Sequence, residues 1–201
     1  MVKAVIFDFG GVLAEEGFRE GLKVVAIKNG LDPEEFFKIA EEMIYKTGYL
    51  TGMTDEKNYW NALREKTGIK GSDKELREEI LKRFVLRAEM LEYIKKIKAN
   101  GFITAILSDQ TDWLDEINGK TPFYHYFDYV FNSFKIKKGK RDPSVFRDVC
   151  LSMKLKPEEA VFVDDNMGHV RRASGEGLNT VLFTNADDFA KEMNKCSILL
   201  I

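Results

Sequence analysis

Five short runs rich in β-branched and aromatic residues constrain this chain more than any other feature: Lys3 to Asp8, Phe102 to Ser108, Tyr129 to Asn132, Ala160 to Asp164 and Thr180 to Phe183. Each is nearly continuous in apolar character rather than alternating, which marks strands covered on both faces. Helical patterns lie between the last four runs, the alternation that a parallel sheet flanked by helices requires. Asp142 is suited to cap one such helix with Pro143 at its first position, followed by Phe146, Val149, Cys150 and Met153 at core-facing spacing. Met90, Leu91, Ile94 and Ile97 make another stripe, closed by Asn100-Gly101. The predicted class is α/β, a doubly wound parallel sheet.

Residues 15–87 break the alternation, with several helix signatures in succession and no convincing strand. Phe18, Leu22 and Val25 form one stripe ending at Gly30. Asp32-Pro33-Glu34-Glu35 reads as a capping box for a second helix, and Thr54 precedes a third carrying Trp60 and Leu63. Ser72-Asp73-Lys74-Glu75 opens a fourth containing Leu76, Ile80 and Phe84. The organisation predicted is a core from residues 1–14 and 88–201, with residues 15–87 as a helical insert placed directly after the first strand, where it can act as a lid over Asp8.

At 201 residues and 44% hydrophobic content, the chain can bury one full core and a smaller module. A net charge of -2 gives no basic field for general nucleic-acid binding, so small molecules are the expected partners. No apolar run approaches the roughly 18 residues of a membrane span, and the N-terminus has a core-like strand pattern rather than that of a signal peptide; a cytoplasmic monomer or homodimer is expected. Cys150 and Cys196 are far apart and lack histidines at ligand spacing, which predicts reduced buried thiols. The apolar end from Cys196 to Ile201 predicts a last packed strand.

Ligands of an open parallel sheet bind beyond the carboxyl ends of its strands, so the residues that end the strands are the candidates for chemistry. Here they are Asp8, Ser108 and the pair Asp164-Asp165, with Lys140 arriving from the segment before the fourth strand. Carboxylates suit a hard cation such as Mg²⁺, whereas hydroxyl, backbone N–H and Lys suit phosphate oxygens.

With these residues in order, the chain resembles the haloacid dehalogenase superfamily, and within it the phosphatase-like members with a helical cap. The first motif resembles Asp8-Phe9-Gly10-Gly11-Val12-Leu13 and the second Ile106-Leu107-Ser108-Asp109. The third resembles Gly139-Lys140-Arg141-Asp142-Pro143-Ser144-Val145-Phe146 and the fourth Val161-Phe162-Val163-Asp164-Asp165-Asn166. Thr51 to Glu56, leading to Trp60, is similar to such caps. The resemblance implies a Rossmann-like core and a Mg²⁺-dependent hydrolase of small phosphorylated metabolites. It makes Asp8 the nucleophile that forms an aspartyl-phosphate, and Ser108 and Lys140 the groups that hold the phosphate and orient Asp8. Amides around Gly10, Gly11 and Asp109 would complete an anion nest. The metal would be held by Asp8, the Gly10 carbonyl and Asp165, with Asp164 beside it.

The departures from the pattern are informative. Phosphatases of the superfamily usually carry a second Asp at the Gly10 position, which protonates the departing alcohol and then activates water. Its absence is compatible with a slow enzyme, a leaving group needing little protonation, a non-catalytic phospho-ligand sensor, or an acid supplied by Glu15, Glu16, Asp109 or Asp112. A 2-haloacid dehalogenase also lacks that Asp, but its fourth motif lacks an acidic pair. Arg141 replaces the usual Pro after Lys140, and Lys135, Lys137, Lys138 and Arg141 crowd it; facing the site, they would favour substrates with a second acidic group. His125 and His169 suggest no metal site, although His169 is near enough to motif four to reach the site mouth. Tyr45, Lys46 and Tyr49 are the cap residues expected to shape specificity, with a sugar or polyol phosphate as the expected substrate.

Overall fold

The computed structural model describes residues 1–196 and 198. Its strands are β1 (Ala4–Phe7), β2 (Ile103–Ser108), β3 (Tyr129–Asn132), β4 (Ala160–Asp164) and β5 (Asn179–Leu182), all parallel, in the spatial order β3-β2-β1-β4-β5. Helices α1 (Gly17–Lys28), α2 (Pro33–Lys46), α3 (Glu56–Thr67) and α4 (Asp73–Leu81) follow β1, and α5 (Ala88–Ala99) leads into β2. Then come α6 (Trp113–Lys120), the single turn α7 (Ser133–Ile136), α8 (Ser144–Ser152), α9 (Met167–Gly175) and α10 (Ala186–Lys195). The core is thus the Rossmann-like sheet expected.

Alternation along β1 shows why its run is apolar throughout. Val5 and Phe7 join a core with residues of α1 to α6 and α10, while Ala4 and Ile6 pack on the opposite face against Val145, Val149 and Cys150 of α8 and Ala173 of α9. The edge strands are less covered, with Tyr129 and Leu182 partly in solvent.

The expected helix starts shift in detail. Ser72 and Glu75 form the reciprocal capping box, and Asp32 accepts from the Glu35 amide. Asp55, not Thr54, caps α3, and α4 stops at Leu81, leaving Phe84 in the returning loop. α8 begins at Ser144, one residue later than predicted, because the Asp142 carboxylate accepts from the Ser144 amide rather than from one deeper in the helix. Cys150 is buried, but Cys196 is exposed, against expectation, and both are free thiols. The predicted last strand falls largely outside the described residues; Ile198 itself is buried in the core.

The chain leaves and re-enters the core at one place. Ala14 bridges Leu86, the Glu15 amide donates to the Val85 carbonyl, and the Arg87 amide donates to the Leu13 carbonyl. Above this closure α1 packs against α2 and α4. The contact is close because α1 has glycines there: a Cβ on Gly17 would come within 2.5 Å of the Phe84 ring, and one on Gly21 within 2.6 Å of the Ile80 backbone. Among the described residues no helix is long and apolar enough to cross a membrane.

Candidate active site

β1 continues its ladder one residue beyond the strand, since the Asp8 amide donates to the Val163 carbonyl at 2.9 Å. Its side chain therefore emerges at the carboxyl edge of the sheet beside the ends of β2 and β4, where the connections diverge. A cavity of about 450 Å³ opens there. Asp8, Gly10, Ser108, Asp109, Lys140 and Asp165 line it, together with Glu16, Gln110 and His169.

Lys140 organises the floor. Its Nζ lies 2.6 Å from Asp8 Oδ1 and 2.7 Å from Asp164 Oδ2, and its side chain and that of Asp164 are both 0% exposed. A buried Lys is tolerable only with such partners. Burial opposes its charge, but Asp164, Asp8 and Asp109 outweigh burial and raise its pKa further above the ordinary lysine range. Burial likewise opposes an ionised Asp164, yet Lys140 and His169 hold that carboxyl down at about 2. Asp8 goes the other way: burial first, then the charges of Asp164 and Asp165, push its carboxyl up against the pull of Lys140. The Asp8 oxygen that contacts Lys140 also accepts from the Phe9 amide at 2.7 Å, so both contacts fall on Oδ1 and neither on Oδ2.

The surrounding elements lock this arrangement. The Asp109 carboxylate accepts from the Lys140 amide at 2.8 Å through Oδ1 and from the Tyr45 hydroxyl at 2.8 Å through Oδ2. From α9, His169 places Nδ1 3.1 Å from Asp164 Oδ2, and Arg172 Nε donates to the Lys140 carbonyl at 2.8 Å. The Asn166 amide donates to Asp164 Oδ1 at 2.7 Å. His169 thus belongs to the floor as well as to its mouth, while His125 lies against Tyr126 and does not line the cavity.

Oxygens of Asp8, Asp164 and Asp165 come within 4.8 Å of one another. The turn that permits this depends on Gly11, whose φ is 81° and whose added Cβ would stand 2.1 Å from Asp165 Oδ2. Gly11 cannot serve the anion nest as expected, however, because its amide donates to the Ala14 carbonyl. Five carboxylates line the cavity (Asp8, Glu16, Glu41, Asp109 and Asp165) against the fixed cations Arg19 and Lys140. An all-oxygen donor set with surplus negative charge fits a hard divalent cation.

The basic residues around Lys140 do not face the cavity. Lys135 pairs with Asp115, Lys137 donates to the Gly52 carbonyl, Lys138 pairs with Asp148, and Arg141 lies 3.5 Å above the Tyr45 ring and pairs with Glu42. The expected cluster for a second acidic group is therefore absent from the wall. Among the cap residues singled out, Tyr45 lines the cavity, Tyr49 is fully buried and donates to Asp112, and Lys46 does not line it. An apolar and aromatic wall made by Phe18, Phe37, Ile44, Leu50, Phe84 and Met167 was not foreseen from the residues alone.

The family model for haloacid dehalogenase-like hydrolase matches residues 2–173. The chain belongs to this hydrolase family. It is 24% identical over 215 residues to the bifunctional epoxide hydrolase 2 of Sus scrofa, an alignment covering 96% of the chain but only 38% of that relative's length. Among solved structures, a family enzyme from Bacteroides thetaiotaomicron superposes with a TM-score of 0.77 at 22% identity, covering 96% of this chain and 98% of that one. The same enzyme has been solved in complex with magnesium and inorganic phosphate, and superposes in that form with a TM-score of 0.71. A dehalogenase superposes with a TM-score of 0.67 at 21% identity, covering 89% of this chain and 83% of that one. The structural likenesses establish the fold, and the family match the hydrolase family; they do not divide phosphate from halide chemistry.

Proposed function

We propose that this hydrolase is a Mg²⁺-dependent phosphomonoesterase that works through an aspartyl-phosphate on Asp8. The observation that carries the reading is the floor: one buried lysine between Asp8 and Asp164, with Asp165 beside them. Haloacid displacement needs a nucleophilic carboxylate but no cluster of three, whereas transfer of a phosphoryl dianion onto a carboxylate requires positive charge to offset the repulsion. Asp8, Asp165 and Asp164 would hold Mg²⁺, which when bound supplies that charge and orients the phosphoryl oxygens.

The chain's own residues do the rest. Lys140 and the Phe9 amide hold Oδ1 of Asp8, which leaves Oδ2 to attack phosphorus. Ser108, 1% exposed at the end of β2, and Lys140 offer donors to the phosphoryl oxygens at the cavity floor. The helices over residues 15–87 act as the cap, and their wall of Phe18, Phe37, Ile44 and Leu50 favours an apolar or ring-bearing leaving group over the polyol first expected. The test is hydrolysis of a nitrophenyl phosphate and of a 2-haloacid, with Mg²⁺ and with chelator. Phosphate release that stops on chelation and in Asp8→Asn is expected; halide release, or phosphate release indifferent to either change, contradicts the reading.

A further inference from the structure

Gly10 leaves the family's usual proton carrier missing, and the wall opposite contains a carboxylate that takes its place. A Cβ built on Gly10 would lie 3.1 Å from Glu16 Oε2 and 3.3 Å from the Phe84 ring, so the Glu16 carboxylate already occupies the space into which a side chain at position 10 would project. Glu16 lines the same cavity as Asp8 and Ser108. We infer that Glu16 is the catalytic acid and base of this hydrolase, delivered from the first turn of the cap rather than from the motif after β1.

Three features support this assignment. The side chain is anchored at the cap: Glu16 Oε1 accepts from the Arg19 amide at 3.0 Å as the N-cap of α1, and Oε2 is the atom that faces Gly10. Its backbone is held at both sides, by the Glu15 amide on the Val85 carbonyl and by Gly17 packed under Phe84. The rival carboxylates are committed elsewhere. Glu15 is exposed and paired with Arg87, Asp109 spends both oxygens on Lys140 and Tyr45, and Asp112 accepts from Tyr49.

The inference rests on the phosphatase reading. Asp8 Oδ2 attacks phosphorus, the bond from phosphorus to the ester oxygen breaks with its electron pair staying on that oxygen, and protonated Glu16 gives the proton that completes the alcohol. Glu16, now a carboxylate, takes a proton from water as the water oxygen bonds to phosphorus. The bond from phosphorus to Asp8 breaks, which frees inorganic phosphate and restores the Asp8 carboxylate and protonated Glu16.

The test compares a nitrophenyl phosphate, whose leaving group needs no proton, with a simple alkyl phosphate, in wild type, Glu16→Gln, Glu15→Gln and the double variant Glu16→Ala with Gly10→Asp. Glu16→Gln is expected to release about one equivalent of nitrophenolate in a burst and then turn over about 10²- to 10⁴-fold more slowly, with no burst from the alkyl ester. The double variant is expected to recover much of that loss, since Gly10 does not have a positive φ and removing Glu16 opens the space. Glu15→Gln, which lies outside the cavity, should turn over both esters near the wild-type rate. Wild-type rates in Glu16→Gln, or equal loss of burst and turnover with no recovery in the double variant, would overturn the assignment. A wild-type enzyme inactive on both esters would instead overturn the phosphatase reading.

Discussion

The floor and the roof of the cavity are built on opposite principles. The floor is polar and over-determined around a buried pair: Lys140 and Asp164 are fully buried, and Lys140 is held by Asp8 and Asp164 at its head and by Asp109 and Arg172 at its backbone. The roof is apolar and half-buried, with Phe18 and Phe37 edge to face and Arg19 5.1 Å over the Phe37 ring. Behind the roof, the buried Glu79 of α4 pairs with Lys28 of α1 and with Lys82 at the end of its own helix. A locked, largely buried ion pair holds its charges in fixed places and makes each interaction worth more than in water, which under the proposed reading aims them at phosphorus. A roof held by contacts with solvent access can change its occupant at little cost to the chemistry below. Under the proposed function, chemistry belongs to the sheet edge and substrate choice to the insert.

The largest break in that division comes from the floor. Asp8→Asn should remove hydrolysis by on the order of 10⁴-fold or more while the fold persists, as measured by single-turnover kinetics and circular dichroism. Lys140→Met leaves Asp8 without its cation and Asp164 with His169 alone, and should cost about 3–5 kcal/mol in urea unfolding, because a buried charge stripped of its partner is worse than none. Mg²⁺ is expected to raise the melting temperature of the wild type but not that of Gly11→Ala, whose added Cβ forces Asp165 aside, read by thermal scans with and without the metal.

Roof changes should be smaller and of another kind. Phe37→Ala is expected to raise KM for an aryl phosphate about tenfold with kcat little changed, in line with losing part of one buried aromatic contact. Burial works against the Glu79 charge, but Lys28, Lys82 and Arg83 hold its carboxyl down at about 2. Because the folded value lies below the unfolded one, the stability it contributes is present above the usual carboxylate range and is lost as pH falls towards about 2. With two of its partners largely in solvent, Glu79→Gln should cost no more than about 1 kcal/mol at neutral pH, with the gap to wild type closing on acidification.

This contrast also explains what could be read from the residues alone. Strands buried on both faces write themselves as unbroken apolar runs, so β1, β2 and β4 and the acids at their ends were legible, and with them Asp8, Ser108 and Asp164-Asp165. Lys140 was legible by its place before β4, but its two buried partners were not, since that contact joins positions 132 residues apart (8 to 140). Glu16 could be named only as one acid among four, because its approach to Gly10 depends on the return of the chain at Val85 and on where α1 begins. The roof was hidden for a similar reason. Phe18, Phe37 and Phe84 sit on patterns that read equally as helix core, and only the packing of α1 on α2 and α4 turns them towards a cavity. The basic residues at 135, 137, 138 and 141 misled because charge density in a sequence does not say which way each side chain points.

The account stands most directly on the identity of the nucleophile. Wild-type protein mixed with Mg²⁺ and a nitrophenyl phosphate, quenched in acid within a turnover, digested and examined by mass spectrometry, should carry a phosphoryl adduct on the peptide containing Asp8, and Asp8→Asn should carry none. Turnover of the ester with no adduct at Asp8, and with the rate retained in Asp8→Asn, would contradict it.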